Sequence, residues 1–190
     1  MPVYRPTADC IWNSFRNSRK RHLIITGSRK SGKTSLLSEL FADLLPGVTS
    51  WAEPGKAAYL RDNFANQSAM IGTFDPELPG TENRMRPCAE GFVNVGIPAL
   101  KRCEAASGEW VSIDEIGYLE ACCPQYLDAI LALMQRKRLC AVIRKQDLPH
   151  LQAITGRENI FVVDLDAPFG HMGCVIMASA GYPESYEKGF

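Results

Sequence analysis

The stretch HLIITGSRKSGKTSLLSEL, His22 to Leu40, runs from an apolar segment through two glycines enclosing a basic loop into an amphipathic segment. Its octet Gly27-Ser28-Arg29-Lys30-Ser31-Gly32-Lys33-Thr34 matches G-x-x-x-x-G-K-[ST], with a strand pattern before it and a helix pattern after it. Glycines let the main chain turn until several N–H groups converge on phosphate oxygens, and the next helix adds the positive end of its dipole. Lys33 is expected on the β- and γ-phosphates, and the Thr34 hydroxyl on Mg²⁺. The loop Gly27, Ser28, Arg29, Lys30, Ser31, Gly32, Lys33, Thr34 and Ser35 is expected to line the nucleotide. The side chains of Arg29 and Lys30 are read as pointing to solvent, with added phosphate contacts as the alternative.

A phosphate loop calls for a second strand that brings a carboxylate to the metal. The run GEWVSIDEIGYLE, Gly108 to Glu120, supplies one, with Asp114 at the carboxyl end of an apolar strand, where open α/β sheets bind ligands. Asp114 is expected to hold Mg²⁺ and Glu115 to orient or deprotonate water as a general base. A further cation near the γ-phosphate would add rate, and Arg144, beside Lys145, is the best candidate; a solvated loop carrying both charges is the equal alternative. Arg157 and Arg29 are weaker candidates. Trp51, Phe74 and Tyr118 could stack a base but are read as core residues, and His150 and His171 as solvent-exposed.

Other apolar runs, Leu139 to Ile143 and Ile160 to Val163, suit strands covered on both faces. Leu36 to Leu45 recur at helix spacing up to Pro46-Gly47, and a second stripe follows Pro124. Further helices are read from Pro98 through Cys103 and from Pro149 to Gly156. Strands alternating with helices predict an α/β fold, a mainly parallel sheet flanked by helices. Between Val48 and Val95, candidates such as Ala58 to Leu60 and Met70 to Phe74 read as strands or a small hairpin insertion outside the parallel core. Residues 1–167 form the expected nucleotide domain and 168–190 a tail.

The chain of 190 residues carries 21 Lys+Arg against 21 Asp+Glu, so no global field draws it to nucleic acid or a membrane surface. The basic cluster before His22 is read as a solvated edge. Seven cysteines lack zinc-ligand spacing and read as reduced thiols, which with the absence of a long apolar run predicts a cytoplasmic protein. A protein partner is left open.

The phosphate loop, the run VSIDEIGYLE and the preceding VGIPALKRC resemble the cancer-related nucleoside-triphosphatase family, small P-loop enzymes also found in thermophiles. The resemblance extends from about Leu23 to Leu165 and implies a RecA-like P-loop NTPase fold akin to nucleotide kinases. It also implies slow, Mg²⁺-dependent hydrolysis of ATP, GTP and other nucleoside triphosphates to NDP and phosphate. By position, Gly27, Gly32, Lys33 and Thr34 match the phosphate and metal residues, Asp114 the metal carboxylate and Glu115 the residue on water; Glu120 matches the last acid of the motif without an assigned role. The loop Ser28 to Ser31 is poorer in Gly, Pro and Val than is usual for the family. The alternatives are a nucleotide or small-molecule kinase and a nucleotide-dependent switch in cofactor maturation. The last rests on the tail, where Cys174 to Gly181 resemble the first strand of a molybdenum-cofactor nucleotidyltransferase.

Overall fold

A computed structural model describes residues 6–79 and 84–167. The tail resemblance and His171 lie outside them. Among the described residues, eight strands form one sheet in the order β5-β4-β3-β2-β6-β7-β1-β8. The strands are β1 (His22–Thr26), β2 (Gly47–Glu53), β3 (Ala57–Asp62), β4 (Ser68–Phe74), β5 (Met85–Pro87), β6 (Trp110–Ile116), β7 (Arg138–Ile143) and β8 (Ile160–Asp164). β2, β6, β7, β1 and β8 pair in parallel, whereas β3, β4 and β5 continue the sheet antiparallel beyond β2. The middle region thus supplies antiparallel strands outside the parallel core, as its sequence suggested, and they hydrogen-bond onto the same sheet. β2 joins the two halves, and sequence reading did not single it out.

Both faces of the parallel strands are buried, which explains their continuous apolar runs. Leu23, Ile25, Cys140, Val142, Phe161 and Val163 pack with Ile11 and Phe15 of α1 (Ala8–Ser18) and with Leu36 and Leu40 of α2 (Lys33–Leu40). On the other face, Ile24, Ile113, Leu139 and Ala141 pack with α4 (Ile97–Ala105), α5 (Pro124–Arg136) and α6 (Pro149–Thr155). A short helix α3 (Ala89–Gly91) leads into α4 through a wide π-turn, Phe92–Gly96.

α2 ends at Leu40, five residues before the predicted stop. Phe41 turns to extended geometry, Trp12 Nε1 donates to Leu40 O at 3.1 Å, and the Phe41 ring meets Trp12 and Trp110 edge-on or tilted. Aromatic packing there outweighs continued helical periodicity. The basic cluster before His22 is the solvated edge expected of it, with Arg16, Arg19 and Arg21 exposed, but it lies on and after a helix that the sequence reading did not name: Thr7 caps α1 by accepting from Cys10 N, and Ile11 and Phe15 are buried. Cys88, Cys103, Cys122, Cys123 and Cys140 are free thiols, while Cys10 is disulfide-bonded, an exception to the reduced reading.

Candidate active site

The loop after β1 turns through left-handed geometry at Gly27 (φ 145°), Lys30 (φ 62°) and Gly32 (φ 87°), and Gly32 is the residue from which α2 starts. The two glycines thus stand where a side chain would strain the turn. Lys33 is 9% exposed, and its ammonium donates to Gly27 O (3.1 Å) and Ser28 O (2.8 Å), closing the loop on itself. Arg29 and Lys30 are exposed, in line with their solvent-facing reading, and Ser35 is exposed on the first turn of α2.

Two strands away, Asp114 is 6% exposed, and its Oδ1 accepts from Thr34 Oγ1 at 3.3 Å. This bond joins the phosphate loop to the acidic strand. Burial is the main cause raising the Asp114 carboxyl above the usual range, with Glu115 adding to it; the Thr34 bond and Lys33 oppose. Asp114 has no ion-pair partner among the described residues. A hydroxyl beside such a carboxylate is an all-oxygen donor set suited to Mg²⁺, which takes one or two protein ligands and completes its shell with phosphate and water. No group of three or more His, Cys, Asp or Glu is placed to hold a metal ion among the described residues.

Glu115 lies at a register shift, since Asp114 pairs with Val142 and Ile116 with Ile143, so its side chain is aimed independently of the ladder. Its Oε1 meets Arg144 Nε at 2.6 Å, and its main-chain oxygen accepts from Ser50 Oγ of β2 at 3.4 Å. Arg144 N donates to Ile116 O at 2.9 Å, and the guanidinium sits 5.9 Å from the Tyr118 ring centroid. Arg144, Glu115, Asp114, Thr34 and Lys33 are thereby linked in one region.

Several residues at this site carry no motif signal. Asp166, just beyond β8, accepts from Ser28 N at 2.8 Å, and that bond is the first cause lowering its carboxyl below the usual range. Lys145 donates to Asp164 (2.8 Å) and Asp166 (3.4 Å). Lys145 is thus tied to the loop's support rather than to Glu115. The only hint was position, because a strand pairing β1 in parallel ends beside the loop. His150 Nε2 lies 2.7 Å from Gly117 O and is half-buried, which corrects its solvent-exposed reading. Glu120 is 3% exposed and its Oε2 accepts from Gly117 N at 2.7 Å; burial raises it to about 7. Tyr118 ties its hydroxyl to Met85 N (3.2 Å), Trp51 is 40% exposed and stacks on Tyr59 at 5.4 Å, and Phe74 is half-buried. Arg157 is half-buried and donates to Ala153 O.

A family model described as NTPase matches residues 78–167, which include the acidic strand and Arg144. THEP1 from the hyperthermophile Aquifex aeolicus superposes with a TM-score of 0.61 at 18% identity, covering 76% of this chain and 89% of that one. The chain resembles the cancer-related nucleoside triphosphatases. The solution structure of a human cancer-related nucleoside triphosphatase gives a TM-score of 0.54 at 16% identity, covering 76% of this chain and 88% of that one. At these identities the likeness is one of fold, an α/β P-loop architecture of the RecA-like kind. No curated protein matches the sequence. No helix among the described residues is long and apolar enough to cross a membrane.

Proposed function

We propose that the chain binds Mg²⁺ with a nucleoside triphosphate, ATP or GTP, and hydrolyses it to the diphosphate and phosphate. The observation that supports this reading is the bond between Thr34 Oγ1 and Asp114 Oδ1, which joins the loop matching G-x-x-x-x-G-K-[ST] to the acidic strand. Main-chain amides of Gly27 to Ser35 cradle the phosphates, and Lys33 exchanges its two loop carbonyls for phosphate oxygens. Thr34 and Asp114 hold the metal, which when bound supplies charge neutralisation at the phosphates. Glu115 orients and deprotonates water, and Arg144, its ion-pair partner, reaches toward the transferred group. Residues 1–167 form this unit, with 168–190 as a tail. The five free thiols among the described residues support a cytoplasmic setting, against which the bonded Cys10 stands.

A specific observation also favours a kinase as second reading. Trp51, Tyr59 and Met70 are register partners across β2, β3 and β4, and Trp51 adjoins Ser50, whose hydroxyl bonds Glu115 O. A planar acceptor stacked on that row would lie on the sheet face that Trp51 shares with Thr49 and its register partner Asp114, beside the proposed metal site.

The test is incubation with γ-labelled ATP and Mg²⁺, with and without nucleosides and monophosphates. Label released as phosphate without an acceptor supports hydrolysis, and label on an acceptor selects the kinase. Turnover near zero with nucleotide-dependent partner capture selects a switch. Lys33→Ala is expected to abolish nucleotide binding, and Glu115→Gln to keep binding while losing about 10²–10⁴-fold in turnover. Full turnover by the Gln variant would remove Glu115 from the mechanism.

A further inference from the structure

The candidate active site occupies the carboxyl ends of the parallel strands. Their amino ends carry a different constellation. Trp110 opens β6 and Arg138 opens β7, four residues of strand, roughly 13 Å, from the Asp114 end. Together with Trp12, Phe15, Arg16, Arg19 and Lys20 they line a cavity of about 380 Å³. That size lies within the range of small-molecule sites.

The floor is aromatic. Trp12 and Trp110 meet edge-on at 5.6 Å over Phe15, and the Arg138 guanidinium lies 5.1 Å from the Trp110 centroid and 5.5 Å from that of Phe15. Cations form the rim. Arg16 and Arg19, three residues apart at the end of α1, are exposed, and neither has an ion-pair partner among the described residues. Among the described residues, the lining arginine Arg138 has Glu109 as its ion-pair partner, 3.7 Å away and 70% exposed in its side chain. A chain of zero net charge has thus gathered four cations around one aromatic cavity. The same positive field reaches His22, the buried first residue of β1: burial foremost, then Arg21, Arg138 and Arg157, push it down to about 4.

Two unpaired guanidinium forks match the oxygen geometry of a phosphate, and an aromatic floor bearing a stacked guanidinium offers a flat face to a ring. A half-open cavity with an aromatic floor, rather than a basic stripe, suits one small molecule. We propose that this cavity binds a small planar anion, a heteroaromatic ring carrying a phosphate, with Arg16 and Arg19 on the phosphate and the Trp12, Trp110 and Arg138 floor under the ring. The site is separate from the nucleotide site proposed above and does not depend on it.

The experiment is isothermal titration calorimetry of the full chain with adenosine 5′-monophosphate as probe, alongside adenosine. One-to-one binding that persists in Lys33→Ala, weakens at least tenfold in an Arg16→Gln, Arg19→Gln double variant, and is tenfold tighter than for adenosine supports the proposal. Both arginines are exposed, so the double variant is expected to fold, which circular dichroism checks. Arg138→Gln is the second variant, expected to weaken binding in the same way. No binding at millimolar probe, binding lost in Lys33→Ala, binding indifferent to all three arginines, or adenosine equal to the monophosphate would overturn it. Phosphate release from ATP, measured separately on the double variant, reports on the nucleotide site alone.

Discussion

Glu120, the last acid of the run Asp114 to Glu120, shows how a motif residue can act without touching substrate. Its carboxylate takes the N–H of Gly117 while His150 engages the carbonyl of the same residue, so the turn after Glu115 is held on both sides. Burial is the largest cause raising its titration and the Gly117 N–H opposes it, while the Arg144 cation lowers it and Glu115 raises it to a smaller extent. With Glu120 raised from 4.5 to about 7, the folded chain keeps a proton that the unfolded chain has lost between those values. Its stabilising contribution is present below pH 4.5 and disappears by about pH 7, some ~3 kcal/mol in all. His22 acts in the opposite sense. Unfolded, it gains a proton below 6.5, whereas folded it stays neutral to about 4, so stability drops as pH falls through that window. The two slopes oppose each other in the wild type. Glu120→Gln is expected to gain about 3 kcal/mol on the wild type between pH 4.5 and 7, read from urea midpoints; a constant difference would refute the burial-raised acid. A second residue-level expectation follows from the Glu115 to Arg144 bond. Glu115→Gln and Arg144→Ala should each lower turnover by at least ~10²-fold, yet the double variant should lose less than the product, because the groups act as a pair. Multiplicative losses would mean that they act independently. Gly27, Gly32, Lys33, Thr34, Asp114 and Glu115 were legible because local spacing encodes a loop and a strand end. Asp166 and His150 were not, because each reaches the site only by the crossing of distant segments.

Strands and helices were legible where burial on both faces or one clean stripe left a local pattern. β1, β7 and β8 read directly, as did α4, α5 and α6, whose starts carry proline at the first turn. β2 did not. Its sequence, Gly47 to Glu53, mixes small, polar and aromatic residues because only its first two are fully buried, while the rest cross from the covered core toward an open face. α1 was obscured by its own charges, although Ile11 and Phe15 lie one turn apart. The junction of β2 with β6 depends on backbone contact rather than side chains. Gly47 has φ 155°, and a Cβ there would fall 1.8 Å from Ser112 O. Gly47→Ala is accordingly expected to cost ~3 kcal/mol or more, since neither strand can retreat without breaking the pairing that carries Ser50 beside Glu115. Chemical denaturation measures this, and a loss under ~1 kcal/mol would show that the strands can separate freely.

At the scale of the whole molecule the sheet has two unequal parts. The parallel half is covered on both faces, and β1 is paired on both edges by β7 and β8. Among the described residues the antiparallel half is covered on one face only: Ala58, Leu60 and Ile71 meet Phe92 and Val95, whereas Trp51 and Met70 on the other face are exposed. β5 is an edge strand of three residues. An ion pair compensates in part. Asp62, fully buried at the end of β3, accepts from Arg102 of α4 at 2.7 Å from Nε and holds the N–H groups of Phe64 and Ala65. Asp114 and Glu115 sit on β6, at the border between the two halves, so the candidate site draws its rigid wall from one part and its adaptable wall from the other. Local opening follows the number of buried contacts that must be broken. Native-state hydrogen exchange should therefore find the amides of Leu23 to Ile25 and Cys140 to Val142 opening only with global unfolding. Those of β4 should exchange through cheaper local openings, at least ~10-fold faster. Arg102→Met leaves the Asp62 charge buried without its partner. Part of Arg102 remains solvated, so the expected cost is about 2–3 kcal/mol, below that for a fully buried pair. That loss should appear as faster exchange in β3 and β4 before it reaches β1. If β1 and β4 instead exchange at one common rate in both proteins, the sheet opens as a single unit and the division of the site into a rigid and an adaptable wall fails.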